Sequence, residues 1–173
     1  MLFRSYVWAG GGNDTVIGNT GNDYLQGQQG DDQLYGNGGD DHLIGGAGND
    51  TYVFGRGLGV DTVVENDATA GNTDVVQFLS GVAADQIWFR QAGNNLEASV
   101  IGTDDKLVLQ NWYLGSANHV EQFKTADGRL LLDGQVDALV SAMASFAPPA
   151  AGQTTLPPSY QDALAGVIAA NWQ

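Results

Sequence analysis

Residues 9–53 read AGGGNDTVI, GNTGNDYLQ, GQQGDDQLY, GNGGDDHLI and GGAGNDTYV, which are five units of nine residues. Every unit has glycine at its fourth position, aspartate at its sixth and an apolar or aromatic residue at its eighth. The five aspartates are Asp14, Asp23, Asp32, Asp41 and Asp50. A fixed short period of this kind indicates a solenoid, in which each unit is stable only when it stacks on its neighbours.

Each unit divides into a turn of six residues and a strand of three. The turn is rich in glycine because its backbone visits positive φ, and the strand points its apolar side chain inward because side chains alternate along a strand. Two units complete one coil, so that every unit stacks on the next but one. This stacking predicts one column of aspartates, formed by Asp14, Asp32 and Asp50, and a second column formed by Asp23 and Asp41.

The composition excludes several classes of function. The 173 residues carry 6 basic and 20 acidic side chains, a net charge of −14, whereas nucleic acids and anionic membranes bind positive surfaces. The absence of cysteine excludes disulfides and thiolate metal sites. No apolar run reaches the roughly 18 residues that span a bilayer. The first residues, MLFRSYVWAGGG, lack the apolar segment of a secretory signal peptide.

Stacked carboxylates predict a cation. Like charges placed over one another are unfavourable unless a positive ion lies between them. Carboxylate and carbonyl oxygens, six to eight in number, are the ligands that Ca²⁺ prefers, whereas Mg²⁺ demands a stricter octahedron. Zinc has little to bind to, because the chain has only His42 and His119 and no cysteine. The pattern therefore predicts calcium sites between the turns.

The five units resemble the calcium-binding nonapeptide of the repeats-in-toxin (RTX) family, G-G-x-G-x-D-x-U-x. The resemblance implies that turn carbonyls point alternately to the ion above and the ion below, and that each aspartate gives one oxygen to each ion. The carboxylate ligands would then be the five aspartates and Asp61, which belongs to a degenerate closing turn. The carbonyl ligands would come from Gly10, Gly12, Gly18, Gly21, Gly27, Gly30, Gly36, Gly39, Gly45 and Gly48. Asn19, Gln28 and Asn37 replace the second glycine; they keep a carbonyl but change the rigidity of the turn.

The expected fold is mainly β, a parallel β-roll followed by an antiparallel β-rich capping domain and short C-terminal helices. Residues 1–8 are expected to be a truncated or disordered lead, and residues 9–67 to form the β-roll. Residues 74–133 hold six short strands between turns and resemble the domain that often follows RTX repeats. Residues 134–146 have helical spacing. Residues 147–173 are expected to be a proline-rich linker and a second short helix.

The predicted function is calcium binding by a β-roll that folds on Ca²⁺ after secretion. The resemblance implies the C-terminal part of a larger secreted bacterial protein, located outside the cell or on its surface. A type I secretion transporter would read an uncleaved signal in residues 147–173, presented by a free apolar face of the last helix. That face would consist of Tyr160, Leu164, Val167, Ile168 and Trp172.

The chain itself is not predicted to be an enzyme, because it shows no catalytic motif such as H-E-x-x-H or G-x-S-x-G. Two alternatives stay open for the parent protein. It could be a secreted hydrolase of which this is a noncatalytic module, or a surface adhesin of which this is the anchoring end. The domain that precedes the repeats in the full-length gene would decide between them.

Overall fold

A computed structural model describes residues 4–173 as a mainly β protein. Within this range there are thirteen strands, two α-helices and three short 3₁₀ turns. The repeat strands are β1 (Tyr6–Gly11), β2 (Thr15–Ile17), β3 (Tyr24–Gln29), β4 (Gln33–Tyr35), β5 (His42–Ala47), β6 (Thr51–Phe54) and β7 (Val60–Val63). The later strands are β8 (Val75–Phe78), β9 (Ile87–Ala92), β10 (Asn95–Val100), β11 (Lys106–Leu109), β12 (Gln122–Lys124) and β13 (Leu130–Leu132). The helices are α1 (Asp133–Met143) and α2 (Pro158–Asn171).

Successive repeat strands alternate between two parallel sheets. One sheet has the order β1-β3-β5-β7-β11-β10-β9, and the other has the order β13-β12-β8-β6-β4-β2. Val7 pairs with Leu25 and Leu25 with Leu43 in the first sheet, while Val16 pairs with Leu34 in the second. Each of these partners lies two repeat units further along the chain. The β-roll of two units per coil, predicted from the period, is therefore confirmed.

The core of the roll is a narrow ladder of side chains. The residue two positions after each aspartate points inward, and none of these side chains is more than 3% exposed. They are Val16, Leu25, Leu34, Leu43 and Tyr52. One such side chain in each unit is little apolar surface for a chain that must also order its glycine-rich turns.

Both sheets continue beyond the repeats without a break. In the closing coil, paired residues lie further apart in the sequence than in the repeats: His42 pairs with Thr62, and Thr51 pairs with Val75. β11 then pairs in parallel with β7, and β12 with β8. The six strands expected in residues 74–133 are all present, and the antiparallel pairs form at the far edges, β10 with β11 and β9, and β12 with β13. The later strands thus cover edges that the roll would otherwise leave open.

The start of the chain differs from the expectation. Residues 1–3 lie outside the described residues. The expectation of a truncated or disordered lead over residues 1–8 does not hold for residues 6–8, because they begin β1, which pairs with β3. The roll begins before the first recognisable unit because a strand needs only its backbone to join a sheet.

The first C-terminal helix packs on β9 and β13, and the second packs against the first. α1 buries Val136, Leu139 and Met143, and α2 buries Leu164 and Ile168. The expectation of a free apolar face on the last helix is therefore wrong. Within residues 4–173, no helix combines the length and the apolar character needed to cross a bilayer.

The last residues of the chain also pack against the later strands and form hydrogen bonds with them. The ring centroid of Trp172 lies 6.5 Å from that of Phe89, and that of Tyr160 lies 6.1 Å from that of Trp88. The backbone of Gln173 pairs in both directions with Leu130, at 2.7 and 2.9 Å. The face is covered because the open side of β9 offers aromatic rings that an amphipathic helix can bury.

Candidate metal centre

The turns of the roll bring the predicted aspartates into two columns, one on each side. Asp14, Asp32 and Asp50 succeed one another in the first column, and Asp23, Asp41 and Asp61 in the second. Backbone hydrogen bonds link each aspartate to the next. The N–H of Asp14 donates to Oδ1 of Asp32 at 2.8 Å, and the N–H of Asp32 donates to Oδ1 of Asp50 at 2.8 Å. One oxygen of each accepting carboxylate is thereby held in a fixed orientation.

The second oxygen of most of these carboxylates accepts no hydrogen bond. Oδ2 is buried and has no hydrogen-bond partner within the described chain in Asp14, Asp32, Asp41, Asp50 and Asp61. Asp23 is the exception, because its Oδ2 accepts the N–H of Asn19 at 2.6 Å. A buried polar atom without a partner costs about 1–3 kcal/mol, and more when it is charged. A row of such oxygens is what a bound cation would satisfy.

The glycine at the first position of the second to fifth units leaves room beside these oxygens. A methyl group on Gly18 would lie 2.7 Å from Oδ2 of Asp23 and 2.5 Å from the carbonyl oxygen of Gly36. A methyl group on Gly27 would lie 2.8 Å from the carbonyl oxygen of Gly45 and still closer to Oδ2 of Asp32. Each space is therefore bounded by a carboxylate oxygen and by a carbonyl oxygen of the next coil. Such an all-oxygen lining suits Ca²⁺.

The glycine at the fourth position of the last three units serves the same stacking. Gly39 has a φ of +125°, and a methyl group on it would lie 2.7 Å from the carbonyl oxygen of Gly21. Gly30 and Gly48 approach the carbonyls of Gly12 and Gly30 in the same way. A side chain at this position would separate the turns and displace these carbonyls, so glycine is required.

At the second position of the unit, the residues that replace glycine are accommodated in two ways. Gln28 and Asn37 adopt the left-handed backbone that the glycine would have, with φ of 87° and 66°. Asn19 has no positive φ; its side-chain oxygen accepts the N–H of Gly21 at 2.8 Å instead. The carbonyl is retained at all three positions, but Gln28 carries a backbone conformation that costs about 1 kcal/mol or more for a residue with a side chain.

Burial makes the charged form of these carboxylates unfavourable. It raises the pKa of Asp41 and of Asp50 to about 6, and neighbouring carboxylates add to the effect. Burial likewise raises the pKa of Asp61 to about 8. The four salt bridges among residues 4–173 involve none of the column aspartates. A divalent cation would supply the positive charge that the side chains do not.

Four acidic residues that sequence reasoning did not place in the columns lengthen them or lie beside them. The N–H of Asp50 donates to Oδ1 of Asp74 at 2.7 Å, and the N–H of Asp74 donates to Glu121 at 2.7 Å. On the other side, Asp105 accepts the N–H groups of Gly57 and Gly59 at 2.7 and 2.9 Å. The fourth residue, Glu65, is buried beside the first column. A signal for three of them existed, because Val76, Leu107 and Phe123 each follow an acidic residue by two positions, as in the repeats.

A parallel β-roll with buried carboxylate columns in its turns defines a class of metal-binding solenoid proteins. The sequence profile of the RTX calcium-binding nonapeptide repeat matches residues 8–43, 17–52 and 26–62. The profile of the haemolysin-type calcium binding protein related domain matches residues 95–131. The chain therefore belongs to the RTX family, and its repeat region is a calcium-binding module rather than a catalytic domain.

Two relatives are much longer than this chain. The iron-regulated protein FrpA of Neisseria meningitidis serogroup C is 33% identical over 90 residues, which are 50% of this chain and 8% of that protein. The crystal structure of the extracellular lipase LipA of Serratia marcescens aligns with 61% of this chain and 18% of its own, at 21% identity and a TM-score of 0.35. The chain thus spans less than a fifth of either relative.

Proposed function

We propose that the roll binds its calcium ions between successive aspartates of each column and folds only when they are bound. The observation that carries the proposal is the row of buried Oδ2 atoms without a hydrogen-bond partner in the described chain. An ion between the first and third units would take oxygens from Asp14 and Asp32 and from the carbonyls of residues 9–12 and 27–30. The pairs Asp23–Asp41 and Asp32–Asp50 would hold two more ions, and Asp41–Asp61 a fourth.

Calcium is proposed to drive folding because the roll has little else to stabilise it. Residues 9–67 contain ten acidic side chains against Arg56 alone. Ordering a residue costs roughly 1–2 kcal/mol, and the ladder buries only one apolar side chain in each unit. Ion binding therefore supplies folding free energy, as it does in other metal-dependent folds. By analogy with extracellular modules, we expect affinities on the order of 10⁻⁴–10⁻³ M.

Substitution of single aspartates tests the ligand scheme. Asp32 has a column neighbour on both sides, whereas Asp14 has one in this chain. Asparagine retains the oxygen that accepts the backbone N–H but removes the charge. In calorimetric titration with CaCl₂, we expect Asp32→Asn to lose more bound calcium than Asp14→Asn. The control Asp162→Asn, at an exposed position of α2, should match wild type. Equal losses in the two column variants would contradict the scheme.

We propose further that the chain is the C-terminal part of a larger secreted protein that a type I transporter exports. The repeats suit the millimolar calcium of the extracellular medium, and low cytosolic calcium would keep the acidic chain unfolded for threading. The signal is proposed to lie in residues 147–173. Because α2 is packed in the folded protein, the transporter would read this segment before the chain folds.

An export assay with a matching transporter separates a signal from a structural tail. Deletion of residues 147–173 should abolish export. Ile168→Asn should retain it, because this change unpacks α2 but leaves the rest of the segment intact. Undiminished export of the truncated chain would refute the signal, and equal loss in both variants would assign the effect to packing of the tail.

A further inference from the structure

Three carboxylates meet inside the roll where its repeats end. Asp50, Glu65 and Asp74 each offer an oxygen, and these oxygens lie within 4.8 Å of one another. The three residues are 1%, 3% and 2% exposed. None of them takes part in a salt bridge within the described chain. This cluster differs from the repeating sites because Glu65 lies outside the aspartate columns.

The register explains how Glu65 enters the interior. Val63 pairs with Leu43, and Glu65 follows Val63 by two positions, just as Gly45 follows Leu43. Earlier coils have glycine at this position, Gly27 and Gly45, and a side chain there would collide with the carboxylate of the aspartate that follows. The closing coil contains more residues than the earlier coils, since Thr51 of β6 pairs with Val75 of β8 in the second sheet. The longer loop lets a glutamate side chain occupy the space that glycine leaves empty elsewhere.

Tyr52 connects Glu65 to the first column. Its hydroxyl accepts the N–H of Gly45 at 2.8 Å and donates to Oε1 of Glu65. A methyl group on Gly45 would lie 2.5 Å from that hydroxyl and nearer still to Oδ2 of Asp50. The buried Oδ2 of Asp50, which has no partner in the described chain, is therefore aimed at the space that the Tyr52 hydroxyl and Glu65 also line.

We propose that Asp50, Glu65 and Asp74 together bind one calcium ion that closes the roll. The inference rests on the proposed function only in that Asp50 and Asp74 are successive members of the first column. Three carboxylates with no cationic side chain among them present a formal charge of −3 to one hard cation, and a carboxylate can bind Ca²⁺ through both oxygens. The repeating sites offer two carboxylates each. Because affinity rises with the charge of the ligands, this site is the tightest of the chain.

Calorimetric titration of the full chain with CaCl₂ tests the inference through Glu65→Gln. The glutamine keeps the length of the side chain and can still accept a hydrogen bond from the Tyr52 hydroxyl, but it removes one charge. We expect the highest-affinity ion to bind about tenfold more weakly or to be lost, while Asp162→Asn matches wild type. Unchanged affinity and stoichiometry would show that Glu65 is a neutral acid bonded to Tyr52 and would overturn the inference.

A crystal structure of the wild-type chain grown in calcium gives an independent readout that does not depend on how the variant folds. The expected result is an ion at about 2.3–2.6 Å from a Glu65 oxygen, with Asp50 and Asp74 as further ligands. Ions between the column aspartates but none at Glu65 would overturn this inference and leave the proposed function standing. No ion at either place would refute both.

Discussion

The repeat strands and the later strands share both sheets but are stabilised differently. Between Tyr6 and Tyr35, the strands bury only one ladder residue in each unit. The turns of the roll bury carboxylates that pair with no cationic side chain of the described chain. Beyond Val75, Phe89 lies 5.5 Å from Phe123 between ring centroids, and two helices pack on these strands. Salt bridges join Glu97 to Arg90 and Lys106. A continuous backbone ladder can thus join a region that depends on ions to one that has a conventional apolar core.

The largest expected effect lies in that apolar core. Phe89→Ala should lower the free energy of unfolding by about 3–5 kcal/mol, because it leaves a cavity beside the rings of Phe123 and Trp172. The loss should be similar with and without calcium, since no column carboxylate is involved. Chemical denaturation monitored by tryptophan fluorescence measures it. Leu114→Ala, at a residue that is 61% exposed, is the control and should change stability little.

The pH dependence of the calcium-free protein sharpens the comparison. Burial raises the pKa of Asp61 to about 8 and that of Asp74 to about 7, whereas an aspartate in the unfolded chain titrates at about 3.9. Between these values the folded state binds more protons than the unfolded state, so its stability falls as pH rises. Hydrogen exchange in EGTA should therefore show more protection of the repeat amides at pH 5 than at pH 8, where the ion-free roll is unfolded.

In saturating calcium, the stability of the roll should instead rise with pH, because the ion binds the deprotonated carboxylates and protons compete with it. The later strands serve as the internal reference. Repeat amides that gain protection in EGTA between pH 5 and pH 8 would contradict the account of buried, unpaired carboxylates.

A smaller effect is expected at the second position of the turns. Gln28→Gly should raise stability in calcium by about 1 kcal/mol, because glycine adopts the φ of 87° without strain. Asn19→Gly is the matched control. It should give no gain, since Asn19 has no positive φ and would lose its bond to the N–H of Gly21. Thermal melts of the two variants distinguish them; equal shifts would show that backbone strain is not the cause.

Much of the roll was predictable because one rule of period nine sets both the columns and the ladder. The same rule persists after the period fails, since Asp74 and Glu121 still precede an inward residue by two positions. Their place in the first column was missed because the long, unequal loops that precede them hide the stacking. Glu65 could not be predicted, because its position inside the roll depends on the altered register between β5 and β7.

The helices show a different limit. The amphipathic pattern located α1 and α2 to within a few residues, because helical periodicity is a local property. It could not show what covers the apolar face of α2. That face packs on α1 and on aromatic side chains of β9, and β9 is distant in the sequence. Such contacts depend on the fold of all these segments.

Hydrogen exchange of the full chain, compared region by region with and without calcium, tests the central claim most directly. In EGTA, the backbone amides of β2 to β5 should exchange as in an unfolded chain, while those of β9 and β10 stay protected. Calcium should protect the repeat strands and change β9 and β10 little. Repeat strands as well protected in EGTA as in calcium would contradict the account, because the roll would then be stable without its ions.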